Sequence, residues 1–346
     1  MSREYSGLLG RLLDGISMTE AQSASLMHAL AAGELDPALA GALLAALRAK
    51  GETAEEIRGF ATAMRELAVH PVVPDGSPIV DTVGTGGDGS GSFNLSTGTG
   101  LLAAACGLRV VKHGNRSVSS RSGSADLLER LGMPVPLEDK AAMECLDALG
   151  FTFLFAPAFH PAMRSIAPVR QALGVRTVFN LLGPLTNPAA PPYQLIGAFG
   201  PEAARLMAET LAGMPIERAF VVHGEPGWDE ATPCGEFVLY DVRPGDLRET
   251  RRAPEDYGLP RCRPRELAGG DAAHNARALE RVFTGGDRGA HRDALLMGTS
   301  LVLELTGRAA DAKEGVAMAA EALDSGAAER LLAGLRRHFA AGAATG

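Results

Sequence analysis

The segment from Asp81 to Thr97 limits the folds open to this chain more than any other. It reads Asp-Thr-Val-Gly-Thr-Gly-Gly-Asp-Gly-Ser-Gly-Ser-Phe-Asn-Leu-Ser-Thr, a short β-rich run, five glycines and then the start of a Leu- and Ala-rich helix. Glycines let the backbone take positive φ and turn consecutive amide N–H groups toward an anion, while the helix that follows adds its own unpaired N–H groups. Phosphate is the natural ligand of such a loop. A tight βα turn needs glycine for geometry alone, and five glycines with Ser92, Asn94, Ser96 and Thr97 exceed that need.

Gly84, Gly86 and Gly89 also fit the dinucleotide pattern G-x-G-x-x-G. A dinucleotide site requires an acidic residue near the end of the next strand to hold the ribose. Here that strand runs into Lys112 and His113. Asp88, inside the loop, would repel a bare pyrophosphate unless a metal or ribose hydroxyls were bound there as well. Both features turn the loop away from NAD, and no Gly-Lys-Ser or Gly-Lys-Thr follows to make an ATP-type P-loop.

Around this loop the pattern changes along the chain. The first seventy or so residues read as four short helices. Asp36-Pro37 is an N-cap with proline at the first helical position, and Thr53 and Glu56 have capping-box spacing ahead of Ile57, Phe60, Met64 and Leu67. After a proline-bearing linker at 71–78, β-rich runs at 79–83, 108–112, 151–155, 194–199 and 219–223 alternate with helices. That alternation predicts an α/β fold, a mainly parallel sheet flanked by helices, beside a smaller all-helical domain. From Ala272 onward the pattern is helical again. The Arg-rich stretch 243–265 carries interspersed acids and prolines and reads as a solvated loop or hairpin.

Composition narrows the function classes. With 33 Lys plus Arg against 41 Asp plus Glu, the net charge of -8 opposes general binding to nucleic acid. Cys106, Cys145, Cys234 and Cys262 form no CxxC pair, which predicts reduced thiols. Neither a signal core nor a membrane-length apolar run is visible, so a cytoplasmic protein away from membranes is expected.

The second strand continues into Lys112-His113-Gly114-Asn115-Arg116-Ser117-Val118-Ser119-Ser120-Arg121-Ser122-Gly123-Ser124. Three cations, an amide and five hydroxyls on one turn suit a second phosphate or a pyrophosphate at the carboxyl edge of a parallel sheet. Together, 81–88, Asn94-Leu-Ser-Thr97 and 112–120 resemble the successive signatures of the anthranilate phosphoribosyltransferases of tryptophan biosynthesis. Further segments match in the same order: Phe153-Leu-Phe-Ala-Pro157, His160-Pro-Ala-Met-Arg164, Ala167-Pro-Val-Arg170 and Phe179-Asn-Leu-Leu-Gly-Pro-Leu-Thr-Asn187. The helical N-terminus, Gly269-Gly-Asp271, Asn275-Ala276 and Arg292-Asp293 extend the resemblance over essentially the whole chain.

The resemblance implies a pentosyltransferase that joins the amine of anthranilate to C1 of phosphoribosyl pyrophosphate (PRPP). No covalent nucleophile is expected in such a displacement. By resemblance, PRPP contacts Gly84, Gly87, Asp88, Ser92, Asn94, Leu95, Ser96, Thr97, Lys112, His113, Gly114, Asn115, Arg116, Ser117, Val118, Ser119, Ser120 and Ser124. Anthranilate contacts Gly84, His113, Asn115, His160 and Arg170, with Arg170 suited to fork onto the carboxylate. Mg2+ is expected at Ser96, Asp229 and Glu230, where Trp228, Ala231 and Glu236 replace the family's usual Leu, Ile and Thr. The implied architecture is a helical domain of 1–72 plus about 161–188 on a larger α/β domain of 73–160 and 189–346, forming a homodimer. A pyrimidine nucleoside phosphorylase-like enzyme or a non-catalytic nucleic-acid-binding protein of the same fold are the competing readings.

Overall fold

A computed structural model describes residues 2–117 and 121–343. The helices Ser2–Leu13, Glu20–Ala32, Pro37–Lys50 and Ala54–Glu66 form the N-terminal bundle. Thr53 caps the last of these as its spacing predicts, taking the Glu56 N–H at 3.2 Å while the Glu56 carboxylate takes the Thr53 N–H at 2.9 Å. Asp36 likewise accepts from the Ala38 N–H at 2.8 Å. The second and fourth helices cross at Gly59, where a Cβ would stand 2.2 Å from the carbonyl oxygen of Glu20, so only glycine lets the backbones approach this closely. A later helix, Met163–Leu173, packs on the second and third helices, with Leu173 and Val169 against Gly41.

The rest of the chain builds one seven-stranded sheet in the order β3-β2-β1-β4-β5-β6-β7. Its strands are β1 (Ile79–Gly84), β2 (Arg109–Gly114), β3 (Phe151–Phe155), β4 (Tyr193–Gly197), β5 (Arg218–Gly224), β6 (Phe237–Arg243) and β7 (Asp246–Arg252). The first five lie parallel, each within two residues of its predicted bounds, and β6 and β7 add an antiparallel hairpin. The stretch 243–265 therefore begins as a hairpin arm, with charged residues along an exposed edge strand, as suits an edge that must not recruit another sheet.

Apolar residues cover both faces of the sheet. One cluster joins β1 to β3 with the helices Leu95–Ala105, Ala272–Phe283 and Ala290–Leu305. The other joins the N-terminal bundle to Ile196, Val221 and Val242 of the sheet and to Met207 and Leu211 of the helix Pro201–Ala212. The bundle core thus runs without a break onto one sheet face. After β1 the chain turns to β2 on one side, whereas β4 pairs with β1 on the other, which places the switch in strand order between β1 and β4. In open α/β sheets the crevice at the carboxyl ends of such a pair is where ligands bind.

Candidate active site

Gly84 ends β1 and pairs in register with Gly197, which ends β4. The loop carrying Asp229 lies directly over them. A Cβ on Gly197 would fall 1.5 Å from the carbonyl oxygen of Asp229, and one on Gly84 would fall 2.5 Å from its Oδ2. Glycine at both strand ends is therefore a steric requirement of this loop. Trp228 and Ala231 are buried in the sheet core on either side of the acidic pair, and the Trp228 N–H reaches the Gly224 carbonyl at 2.9 Å. Trp228 and Ala231, two of the three departures noted in the sequence, anchor the loop.

The acidic groups converge on the glycine-rich segment. Gly86 donates its N–H to Asp229 Oδ2 at 2.6 Å, and Asp229 donates its own N–H to Asp88 Oδ2 at 3.2 Å. Ser96, in the first turn of the helix Leu95–Ala105, gives its N–H to Glu230 Oε1 at 3.1 Å. Gly86, Gly87, Gly89 and Gly91 take φ of 67°, 72°, 75° and 58°, the left-handed region that glycine enters without strain. Burial, and then the charge of Asp88, push the Asp229 carboxyl up to about 7. Burial and the neighbouring Asp229 hold Glu230 well above the usual carboxylate range. Beneath them Lys112 is 1% exposed, its Nζ donating to the Thr82 carbonyl and, at 3.2 Å, to Ser96 Oγ. Burial lowers the lysine's pKa, and the charges of Asp81, Glu230 and Asp229 oppose that shift. Among the described residues no three or more His, Cys, Asp and Glu side chains form a ligating cluster. Two carboxylates and a serine hydroxyl suit Mg2+, which takes one or two carboxylates and completes its shell with phosphate oxygens and water.

Asn94 ties the two predicted phosphate loops together, donating to the Ser122 carbonyl at 3.1 Å and accepting from Asn275 Nδ2 at 2.7 Å. Past Gly114, Asn115 is exposed. The Arg116 guanidinium turns back onto the helix Ser124–Arg130, meeting Asp126 at 3.0 Å and Glu129 at 2.6 Å, so its charge is engaged there. Asp126 also accepts the N–H groups of Gly123 at 2.8 Å and Ser117 at 3.2 Å, folding the loop against that helix. Ser92 and Thr97 lie on the first loop and its helix, and Leu95 and Thr97 are buried. Ser124 heads the helix Ser124–Arg130. Val118, Ser119 and Ser120 lie outside the described residues.

His113, at the end of β2, and His160 come together with ring centroids 5.1 Å apart. His113 Nδ1 lies 3.3 Å from the Gly183 carbonyl, while its buried Nε2 and both buried nitrogens of His160 have no hydrogen-bond partner of normal geometry. Burial, more than any neighbouring charge, drives the His113 imidazole down to about 3 and that of His160 down to about 4, so both rings are neutral near pH 7. Unsatisfied buried polar atoms cost free energy. Arg170 is half-buried with its guanidinium 5.2 Å from the Phe179 ring and makes no ion pair among the described residues. Burial lowers its pKa.

Two further residues shape the site through contacts that the sequence did not lead one to expect. Arg176 donates to the Gly87 carbonyl, stacks 4.2 Å from the Phe199 ring centroid, and has its own carbonyl held by Arg48 at 2.6 Å. It links the helical bundle to the glycine-rich loop. Asn187 donates to Asp81 Oδ2 at 2.8 Å and to the Val111 carbonyl at 2.9 Å, bracing β1 against β2. Burial pushes the Asp81 carboxyl up to about 6, with Lys112 pulling the other way. No local pattern marks either contact, since each spans a long stretch of chain.

A helical bundle on an α/β sheet, with a glycine-rich loop facing carboxylates at the strand switch, is the layout of one glycosyltransferase family. Residues 6–68 match the helical bundle domain of the glycosyl transferase family and residues 76–329 its a/b domain. The chain is 44% identical over 329 residues to the anthranilate phosphoribosyltransferase of Bradyrhizobium diazoefficiens, covering 95% of this chain and 97% of that one. It is 47% identical to that of an Anaeromyxobacter species over 327 residues, 94% of this chain and 96% of the relative. The crystal structure of anthranilate phosphoribosyltransferase from Thermus thermophilus superposes with a TM-score of 0.89 at 44% identity, over 96% and 98% of the two chains. The Saccharomyces cerevisiae enzyme in complex with PRPP and Mg gives 0.88 at 29% identity over 99% of each. The chain belongs to the anthranilate phosphoribosyltransferase family, and it is a pentosyltransferase.

Proposed function

We propose that this protein transfers the phosphoribosyl group of PRPP to the amine of anthranilate, giving N-(5-phosphoribosyl)anthranilate and pyrophosphate in the cytoplasm. The observation that carries this reading is the meeting of the acidic loop with the phosphate loop. Two anion-seeking amides, those of Gly86 and Ser96, are occupied by Asp229 and Glu230. Carboxylates so placed, with raised pKa values and Asp88 beside them, favour a cation that is shared with a pyrophosphate. Asp229, Glu230 and Ser96 would hold Mg2+, which when bound neutralises the charge that builds on the departing pyrophosphate.

The remaining steps fall to the chain's own groups. The amides of the glycine-rich segment, with Asn94, Ser96 and Thr97 at the helix start, hold the phosphates and orient the ribose. Asp88, beside the acidic loop, would take the ribose hydroxyls. Lys112, locked under the loop, supplies a fixed positive charge without leaving its carbonyl partner. Of the second loop, Asn115, Gly114, Ser117 and Ser124 offer donors to PRPP, with Val118, Ser119 and Ser120 completing the set. Arg116 shapes that turn through its acidic partners.

Arg170, without an anionic partner among the described residues, takes the anthranilate carboxylate, and the neutral His113 and His160 face the aromatic amine beside Asn115 and Gly84. Neutral imidazoles leave the attacking amine free of a repelling charge when the ribose gains oxocarbenium character. The helical part (1–72 with 161–188) carries the acceptor residues Arg170 and, at its border, His160, while the α/β part (73–160 and 189–346) carries PRPP. A homodimer through the helical part is supported by Leu13 and Ile16, exposed at 70% and 48%. 31P NMR of released pyrophosphate tests the reading: release that depends on both PRPP and anthranilate is expected, and release equal with and without anthranilate contradicts it.

A further inference from the structure

Cys234 and Cys262 lie 28 residues apart in sequence, yet their sulfurs stand 3.7 Å from each other. Both are half-buried thiols. Cys234 follows Glu230 by four residues on the acidic loop, and the Cys262 N–H donates to the Pro233 carbonyl at 2.9 Å. The segment after Cys262 supports the other half of the site. Leu267 accepts the Phe93 N–H at 2.9 Å, and Gly269 donates to the Gly91 carbonyl at 2.8 Å. The two sulfurs thus sit where the acidic loop meets the segment that braces the glycine-rich loop.

We propose that Cys234 and Cys262 are a reversible thiol–disulfide pair whose oxidation weakens Mg2+ binding at Asp229 and Glu230. The consequence for Mg2+ rests on the function proposed above. A disulfide requires the sulfurs to be about 2.05 Å apart, so oxidation draws them together by about 1.7 Å from the observed 3.7 Å. Metal–ligand distances in a well-formed site keep within about 0.2 Å of their ordinary values, and the pull is applied four residues from Glu230.

The oxidant is a low-molecular-weight disulfide. The Cys234 thiolate attacks one of its sulfurs, forming a mixed disulfide and releasing one small thiolate. The Cys262 sulfur then attacks Cys234, loses its proton and expels the second small thiolate. Two electrons pass from the protein to the oxidant, and the two protein protons end on the two released thiols. Burial first, and then the adjacent Cys234, push the Cys262 thiol up to about 12, and attack by either sulfur first leads to the same disulfide. Among the described residues the remaining thiols have no sulfur partner: Cys145 is buried against the Phe151 carbonyl at 3.2 Å, and Cys106 points to the Met318 carbonyl at 4.0 Å.

The full-length protein equilibrated with glutathione disulfide provides the test. Free thiols should fall from the four of the reduced chain to two, with one linked peptide pair holding Cys234 and Cys262, reversible by dithiothreitol. Calorimetric titration of MgCl2 in the presence of PRPP should show half-saturation rising about 10-fold on oxidation. Cys234→Ser and Cys262→Ser, tested separately, should each keep the reduced value in the oxidising buffer. Four thiols persisting under excess oxidant, a linkage other than 234–262, or a Mg2+ half-saturation unchanged by oxidation would each overturn the proposal. A reduced protein that binds no Mg2+ with PRPP defeats the functional reading instead, and the thiol count and peptide map still decide the disulfide.

Discussion

Gly197→Ala adds one methyl group at the point where β4 passes beneath the acidic loop. That carbon would sit 1.5 Å from the carbonyl oxygen of Asp229, whereas real Cβ contacts are ordinarily 3.4 Å or more. The backbones must separate by nearly 2 Å, and the loop yields because β4 is paired on both sides. Such a shift breaks the 2.6 Å bond from Gly86 to Asp229 and is far larger than the spread of about 0.2 Å that metal–ligand distances keep in a well-formed site. The Mg2+ needed for half-maximal rate should rise about 10- to 100-fold, or about 1.4 to 2.7 kcal/mol. Gly84→Ala should act in the same direction but less, since its Cβ meets the movable end of the Asp229 side chain at 2.5 Å. Gly86→Ala meets no atom within 4 Å, so the methyl itself displaces nothing, though its φ of 67° costs about 1 to 2 kcal/mol of stability. The assay is initial rate against MgCl2 at saturating PRPP, with circular dichroism to verify folding. A folded Gly197→Ala protein with the parent's Mg2+ dependence would refute the placement of the metal loop over the strand switch.

The buried histidines set the acid limit of the fold. Because burial lowers His160 from 6.5 to about 4, the unfolded chain binds a proton that the folded chain refuses. The stability is fully present above pH 6.5 and is lost as the pH falls toward 4. Between pH 7.5 and 5 the parent should lose about 2 kcal/mol more than His160→Asn in urea melts, and equal losses would contradict the burial of a neutral ring. Arg170→Lys should raise the anthranilate KM about 10-fold and Arg170→Ala about 100-fold with the PRPP KM unchanged, because a point charge replaces, or nothing replaces, a forked donor. Steady-state kinetics in which the PRPP KM moves instead would take Arg170 out of the acceptor site. Arg176→Ala removes the bond to the Gly87 carbonyl and should raise the PRPP KM about 5-fold. An unchanged PRPP KM would mean that the glycine-rich loop holds its shape unaided.

Local signals carried much of this structure. The capping residues Asp36 and Thr53 and the five parallel strands were legible because each depends on residues close in sequence. The glycine-rich loop was legible as an anion site because its chemistry is contained in one turn. What the sequence concealed was long-range. The hairpin arm β7 has few apolar residues, because an edge strand exposes charge on both sides, so no alternation marks it. The free charge read into Arg116 is taken up by Asp126 and Glu129, acids that the following helix brings round to it. Arg176 on Gly87, Asn187 on Asp81 and Cys234 beside Cys262 arise only once the sheet and bundle are packed. The pressure of Asp229 on Gly197 is of the same kind: a glycine after a β-rich run looks like any strand end until a loop is laid across it.

Anthranilate is fluorescent, and attachment of ribose to its amine removes that signal, so the central claim reduces to one measurement. Purified protein with anthranilate, PRPP and MgCl2 should show a steady loss of fluorescence that stops when PRPP or Mg2+ is withheld. Fluorescence that stays constant with all components present, in a protein that is folded and fully reduced, would contradict the assignment.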